Sequence, residues 1–431
     1  MIEANTHKGS SENPIRVLFI SSGCHLQDFT GQMEYVAWCE GALASFCGNR
    51  VRVGIAFGCD DGQTSSPSCE TAIPADSDIA YFPLNVNMNY GAIGKEWELA
   101  RRALLDVIDR FEPDIIQCYG SELPYGAIAE YVDIPVVIHM MGFLNIYYLS
   151  IDMAHGHTYE KPIRRKMKRV LSFVKLNPFD VRTICEKRAT FERRVMVANR
   201  YFMGRTDWDK NIVKFYSPGS HYYHVPEFIH YPFIREAGTW KYHFDGKLRL
   251  LTVSSADDRK GIEIILQTAK LLKDLIGIDF EWRIAGNTEF FELFERRSGI
   301  RHEGVNVRLL GMLEKESIVD ELKGADLFIH PSIIDNSPRA ICEAQLVGCP
   351  VIASNVGGVP QLVENGATGF LYPYNEPHTL AFLIANLIEQ RNVLTDVSDS
   401  ASRTARERHD PERIANRVLD VYKEILATHE K

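Results

Sequence analysis

The 431 residues include nine cysteines, but no CxxC pair and no regular spacing between them, which removes the usual zinc-ribbon and disulfide-framework readings. Several sit in apolar runs, such as Cys118 after Ile115 and Ile116, and Cys342 beside Ile341. That is the setting of reduced, buried thiols in a cytosolic protein. Positive charge is also short. Lys and Arg number 48 against 57 Asp and Glu, for a net charge of −9, so there is no basic footprint to displace counterions from a nucleic acid. No uninterrupted apolar run reaches membrane-span length. The most apolar stretch, Ile134 to Ile151, is broken by Pro135, His139, Gly142 and Asn145, and reads as a buried strand entering a functional loop. Residues 1–14 lack the apolar core of a secretion signal and read as a flexible tail. The turn after the first aliphatic run, SSGCHLQDFTG, is not GxGxxG, which argues against a dehydrogenase. No Asp- or Asn-rich metal site is evident. The HxxH spacing of His221 and His224 has no accompanying acid on a helix, so these read as surface residues.

Short aliphatic runs alternating with helical patterns are present along nearly the whole chain, the signature of parallel sheets covered by helices. IRVLFISSG, VRVGIAFG, DIIQCYG and IPVVIHMMG form a first series; LRLLTVSSA, FEWRIAG, VNVRLLG, ADLFIHPS and PVIASNVGG form a second. Each run ends in Gly, Ser or Pro, so the loops beyond the strands suit tight turns and close backbone approach. Ligands of open α/β sheets bind at that edge. The expected division is an N-terminal Rossmann-like domain over 15–235, a C-terminal one over 236–408, and a terminal helix over 409–431 with Asp410 as N-cap and Pro411 just inside.

The densest chemistry lies between His330 and Leu371. Ser337 is placed to cap a helix whose first position is Pro338, leaving the amides of Arg339 and Ala340 for a phosphate. Glu343, one turn later on the same face, leans back toward that loop and suits ribose hydroxyls. Asp335 adds a second carboxylate eight residues before Glu343. Gly357 and Gly358 allow close backbone approach after the next strand.

With these residues in hand, the segment resembles the C-terminal donor-binding signature of the family 4 retaining glycosyltransferases, which have the GT-B fold: two acids separated by seven residues, Asp335 and Glu343, followed by GCPVIASNVGG and NGATGFL. The resemblance implies further site residues. Gly31 and Gln32 match a segment where backbone amides approach the donor diphosphate, with Gln32 in place of a second glycine. His139 matches an active-site histidine, and Lys260 with Gly261 a phosphate-binding pair. Gly286, and Leu313 within Gly311-Met312-Leu313, match loops at the base, while Asn336, Ser337, Pro338, Arg339 and Ala340 complete the donor site. Many members carry an arginine five or six residues before the lysine; Ser255 and Ser254 stand there, and Arg259 is the candidate second cation. Asp335 replaces the usual glutamate and Gln361 an acid.

The implied activity is retaining, metal-independent transfer, without a cofactor, from a UDP-, GDP- or other nucleoside diphosphate sugar to a glycan or lipid-linked acceptor. His139, Asp335 and Lys260 are its catalytic candidates. The alternatives are a nucleotide-sugar epimerase, a phosphorylase, or a catalytically inactive sugar-nucleotide-binding protein. Residues 161–194 carry twelve Lys or Arg against Asp180, Glu186 and Glu192. Such a segment suits peripheral contact with the anionic inner face of a membrane or with an anionic acceptor; a solvated helix pair balanced by acids elsewhere is the plainer alternative. The expected setting is cytoplasmic.

Overall fold

A computed structural model describes residues 13–21, 43, 45–58, 79–86, 94–154, 178–254, 257–289 and 291–429. Gly31, Gln32, Ser255, residues 161–177 and nearly all of the expected N-terminal tail fall outside that set. The first aliphatic series forms one parallel sheet of β1 (Ile15–Ser21), β2 (Val51–Gly58), β3 (Ile79–Leu84), β4 (Ile115–Tyr119), β5 (Val136–His139), β6 (Tyr201–Gly204) and β7 (His221–His224). The second series forms another, of β8 (Leu248–Val253), β9 (Phe280–Ala285), β10 (Val307–Gly311), β11 (Leu327–His330), β12 (Val351–Ser354) and β13 (Phe370–Tyr372).

Strand order is β3-β2-β1-β4-β5-β6-β7 in the first sheet and β10-β9-β8-β11-β12-β13 in the second. Each is a doubly wound Rossmann-like order that reverses once, between β1 and β4 and between β8 and β11. Burial explains the sequence pattern. The strands β4, β5, β6, β11 and β12 are buried at every position, so apolar residues run through most of their length without alternation, whereas the edge strand β3 alternates. The apolar stretch 134–151 becomes β5, a loop and the first part of helix α2 (Leu144–Ala154), which follows α1 (Lys95–Phe111). Among the described residues no helix is long and apolar enough to cross a membrane.

Helices α3 (Pro178–Ala198) and α4 (Asp207–Tyr216) complete the first domain. The chain then changes cores at two adjacent residues: Phe228 packs in the first domain and Ile229 in the second. Helix α5 (Tyr231–Arg235) therefore belongs to the second domain, with Phe233 in its core, so the crossover precedes the expected 235/236 boundary by several residues. The aromatic and proline-rich 201–242 segment has no clean period, which is why the switch was not visible there.

The second domain adds α6 (Ile262–Leu271), α7 (Lys315–Lys323), α8 (Arg339–Val347) and α9 (Arg391–Arg408). Helix α10 (Pro411–His429) then returns to the first domain. Asp410 Oδ1 accepts from Arg413 N at 2.8 Å, the expected cap. Ile414, Val418, Tyr422 and Ile425 cover one face of the first sheet, and Tyr422 donates to Gln117 Oε1 at 2.6 Å. Cys47, Cys118, Cys342 and Cys349 are buried free thiols.

Candidate functional site

Reversal of strand order between β8 and β11 sets the loops after these strands side by side at the carboxyl edge. Lys260, from the first loop, places Nζ 2.7 Å from Asp335 Oδ2 in the second. Ile333 N donates to Arg259 O at 2.8 Å and ties the two loops together. Gly261 is required: its φ is +67°, and a Cβ there would sit 2.0 Å from Pro331 O. Asp335 Oδ2 also accepts from His330 Nε2 at 3.2 Å and Ser332 Oγ at 3.4 Å, while Oδ1 accepts from Asn336 N at 3.1 Å. Burial by itself would raise the Asp335 carboxyl, but Lys260 and His330 outweigh it and hold the group well below the usual carboxylate range. Asp335 is therefore a fixed negative charge beside a lysine.

The helix after this loop begins later than its sequence suggests. Pro338 is the capping residue, with ψ 116°, and Arg339 is the first helical position. Ser337 does not cap: Pro338 holds the capping position, and the Ser337 hydroxyl donates to the buried Glu227 Oε1 at 3.0 Å. Arg339 and Ala340 are the first two helical positions, where the amides have no acceptor within the helix itself. Glu343 lies within the same helix and is buried. Burial raises its carboxyl, with Arg339 and Lys315 opposing.

Asn336, fully buried, faces the other domain. Its Nδ2 donates to Asp209 Oδ2 at 2.9 Å, and its Oδ1 accepts from Thr206 Oγ1 at 2.6 Å. Thr206 caps α4 by accepting from Asp209 N. Gln361 Oε1 accepts from Asp207 N. The glycine pair serves this packing: a Cβ on Gly357 would lie 1.9 Å from Asp335 O, and one on Gly358 would lie 2.3 Å from Asn336 O and 2.7 Å from Thr206 Cγ2. Arg259 pairs with Asp257 at 2.9 Å and lies 4.8 Å from the ring centre of Tyr147, which packs with Ile333 and Ile334.

His139 ends β5 at 7% exposure. Its ring stacks on Tyr119 at 5.3 Å, and Nδ1 is buried without a hydrogen-bond partner. Burial, then the nearby Arg205 cation, brings its pKa down to about 3, so it is neutral at pH 7. No direct hydrogen bond or ion pair joins His139 to Asp335 among the described residues. Gly286 and Leu313 sit at the ends of β9 and β10; the Gly286 amide is already used, donating to Gly311 O at 2.8 Å.

Several residues that build the site escaped sequence reading: His330, Ser332, Tyr147 and Glu227. Thr206 with Asp209 had a visible signal, the threonine and acid of a capping box. Glu227 had none. Glu192, counted above only within a basic run, accepts from Leu144 N at 3.0 Å and Asn145 N at 2.9 Å, and so holds the start of α2.

His409 shares the character of His139. It is buried, bonded through Nδ1 to Glu227 O at 2.9 Å, and brought to a pKa of about 3 by burial and then Arg408. The unfolded chain protonates both near 6.5 and the folded one does not. Their contribution is therefore complete above pH 6.5 and falls as pH drops toward 3, by roughly 1.4 kcal/mol per pH unit for each at most. The melting temperature should fall between pH 7.5 and 5, and a His139→Gln, His409→Asn double variant should lose less over that interval. Equal losses would remove this account.

Residues 236–408 match the family model described as Glycosyl transferases group 1. The amylovoran biosynthesis glycosyltransferase AmsK of Erwinia amylovora is 30% identical over 146 residues, covering 32% of this chain and 36% of that protein. The match thus spans little more than a third of that relative's length. Among solved structures, the sucrose-phosphate synthase of Thermosynechococcus elongatus superposes with a TM-score of 0.71 at 15% identity, over 96% of this chain and 100% of that one. Anabaena HepE in complex with UDP-glucose superposes with a TM-score of 0.62 at 16% identity, over 95% and 100%. Two parallel-sheet domains with such neighbours constitute the GT-B fold.

Proposed function

We propose, for a chain whose residues 236–408 form a glycosyl transferases group 1 domain, that it transfers a sugar from a nucleoside diphosphate sugar to a glycan or lipid-linked acceptor, with retention and without a metal. One observation carries the reading: Lys260 and Asp335 meet at the strand-order switch point, next to the first turn of α8 and Glu343. The solved relative that holds UDP-glucose has the same fold and supports a nucleotide-sugar donor.

As the bond from the anomeric carbon to the diphosphate breaks, negative charge grows on the leaving oxygen. Lys260 and the α8 amides are placed to stabilise it more in the transition state than in the ground state. The acceptor oxygen bonds to the anomeric carbon on the same face, and its proton passes to the departing phosphate. Asp335 stays ionised and stabilises the cationic sugar. Neutral His139 orients that sugar by hydrogen bonding, and Glu343 reads the ribose. The cation that a metal would supply is Lys260. The group spaced for metal among the described residues, Glu295, His302 and Glu303, lies outside these loops, and Glu295 already bonds His302.

A screen of UDP, GDP, ADP and their sugars by thermal shift tests the donor site. A ligand at a hundred times its Kd stabilises by about 2.7 kcal/mol. Transfer from the stabilising donor, with the product anomer read by NMR and the rate unchanged by EDTA, then tests the chemistry. No shift from any of these ligands would end the proposal. Donor binding without transfer or hydrolysis would favour the inactive binding protein, a reading supported by the Lys260–Asp335 pair, which already neutralises the lysine. Membrane contact through 161–194 is part of the proposal. It predicts salt-sensitive sedimentation with anionic liposomes, and failure to sediment at low salt would remove it.

A further inference from the structure

We propose that the buried ion pair of Arg205 and Glu227 is a positioning device that holds the His139 end of β5 in register with the start of α8, through the bond from Ser337 to Glu227. The inference rests on the glycosyltransferase reading for its significance, but not for its test.

Arg205 and Glu227 have side chains 5% and 3% exposed, with Nη1 and Oε2 2.5 Å apart. Arg205 reaches the catalytic candidate of the first domain through the main chain, because Nη2 donates to the carbonyl of Met140, the residue after His139, at 3.0 Å, and contacts Met141 Sδ at 3.2 Å. Its own amide donates to Asp209 Oδ2 at 3.0 Å, the oxygen that also accepts from Asn336. Glu227 reaches the other half of the site, its Oε1 accepting from Ser337 at 3.0 Å. Glu227 also lies one residue before the first change of core, and its carbonyl bonds His409 at the second crossing. Both passages between the domains therefore meet at Glu227, and its carboxylate joins both halves of the site.

A buried ion pair gives little net stability once desolvation is counted, and its best-attested use is to select one register among several. A register is what these two halves need. His139 Nδ1 has no hydrogen-bond partner, so its ring is held by stacking on Tyr119 and by the backbone that Arg205 clamps. A displacement of about 1 Å in such a group costs on the order of a hundredfold in rate.

The test uses the full chain with Ser337→Ala, Ser337→Thr, Glu227→Gln and Arg205→Lys, each checked for folding by its melting curve. Side-chain imidazole resonances are recorded, and His139 is assigned from His139→Gln. Ser337→Ala and Glu227→Gln should both move the His139 resonances, although neither residue touches the ring, and Ser337→Thr should restore them. Where transfer is measurable, kcat should fall tenfold or more in Ser337→Ala with the donor KM within threefold of wild type. Unmoved His139 resonances in both folded variants would overturn the proposal whatever the activity. Absence of transfer in the wild type would instead count against the functional reading alone. Should Ser337→Ala not fold, Glu227→Gln decides by the same signal.

Discussion

Lys260→Ala is expected to lower turnover by about 10²- to 10³-fold, the usual cost of removing one positioned electrostatic group from a transition state. The size follows from where the charge sits. Lys260 is the residue that joins the two loops of the switch point by an ion pair, so its loss removes both the cation proposed to face the departing diphosphate and the partner that holds Asp335 ionised. Without it, burial acts on Asp335 with its largest opposing charge gone, and the carboxyl pKa moves upward. Lys260→Arg should recover part of the rate, because the charge returns while the point-like ammonium is replaced by a wider planar fork. Initial rates of purified, folded variants at saturating donor measure this. Near-normal transfer by both Lys260→Ala and Glu343→Ala would discard the site.

Gly357→Val should be strongly damaging although it touches none of the charged groups. The backbone there has φ +53°, where a β-branched residue is strained by about 1–3 kcal/mol. Steric overlap adds to this, since any Cβ would lie 1.9 Å from Asp335 O and force the Asp335–Asn336 loop to move. That loop holds the Lys260 ion pair on one side and the Thr206 and Asp209 bonds on the other. Loss of donor-induced thermal stabilisation is therefore expected along with a melting temperature several degrees lower. Gly366→Val is the control: φ is +80°, but nothing lies within 4 Å of its Cβ. It should show backbone strain alone and keep its response to donor. Equal responses in the two variants would mean that the close approach at Gly357 has no role in the site.

The parts of this site that could be read from the chain are the parts made by local segments. Lys260 before a positive-φ glycine and Asp335 eight residues from Glu343 are short-range patterns, and strand order did the rest by bringing their loops together. Ser337 marks where that kind of reading stops. A serine before proline at a helix start has a strong local preference to cap, yet Pro338 holds that position and the serine hydroxyl donates to a buried carboxylate from the other domain. Gly357 and Gly358 show the same limit: their spacing marks close approach, but what approaches is the Asp335–Asn336 backbone and Thr206. His330 lay in plain view in the HPS run and still gave no sign that it would bond Asp335, since a histidine at a strand end is equally suited to packing.

By itself the sequence determined two parallel sheets covered by helices, the loops that bear the chemistry and the identity of the charged residues in them. These follow from hydrophobic periodicity and from turn residues, which act over a few positions. Only the tertiary structure decided how the halves meet: that Asn336 bonds Thr206 and Asp209, separated from it by 130 and 127 residues, that Ser337 bonds Glu227 across 110, and that α10 returns to cover the first sheet. Such contacts are set by the docking of two rigid bodies, and the geometry of docking leaves no period in the chain to read.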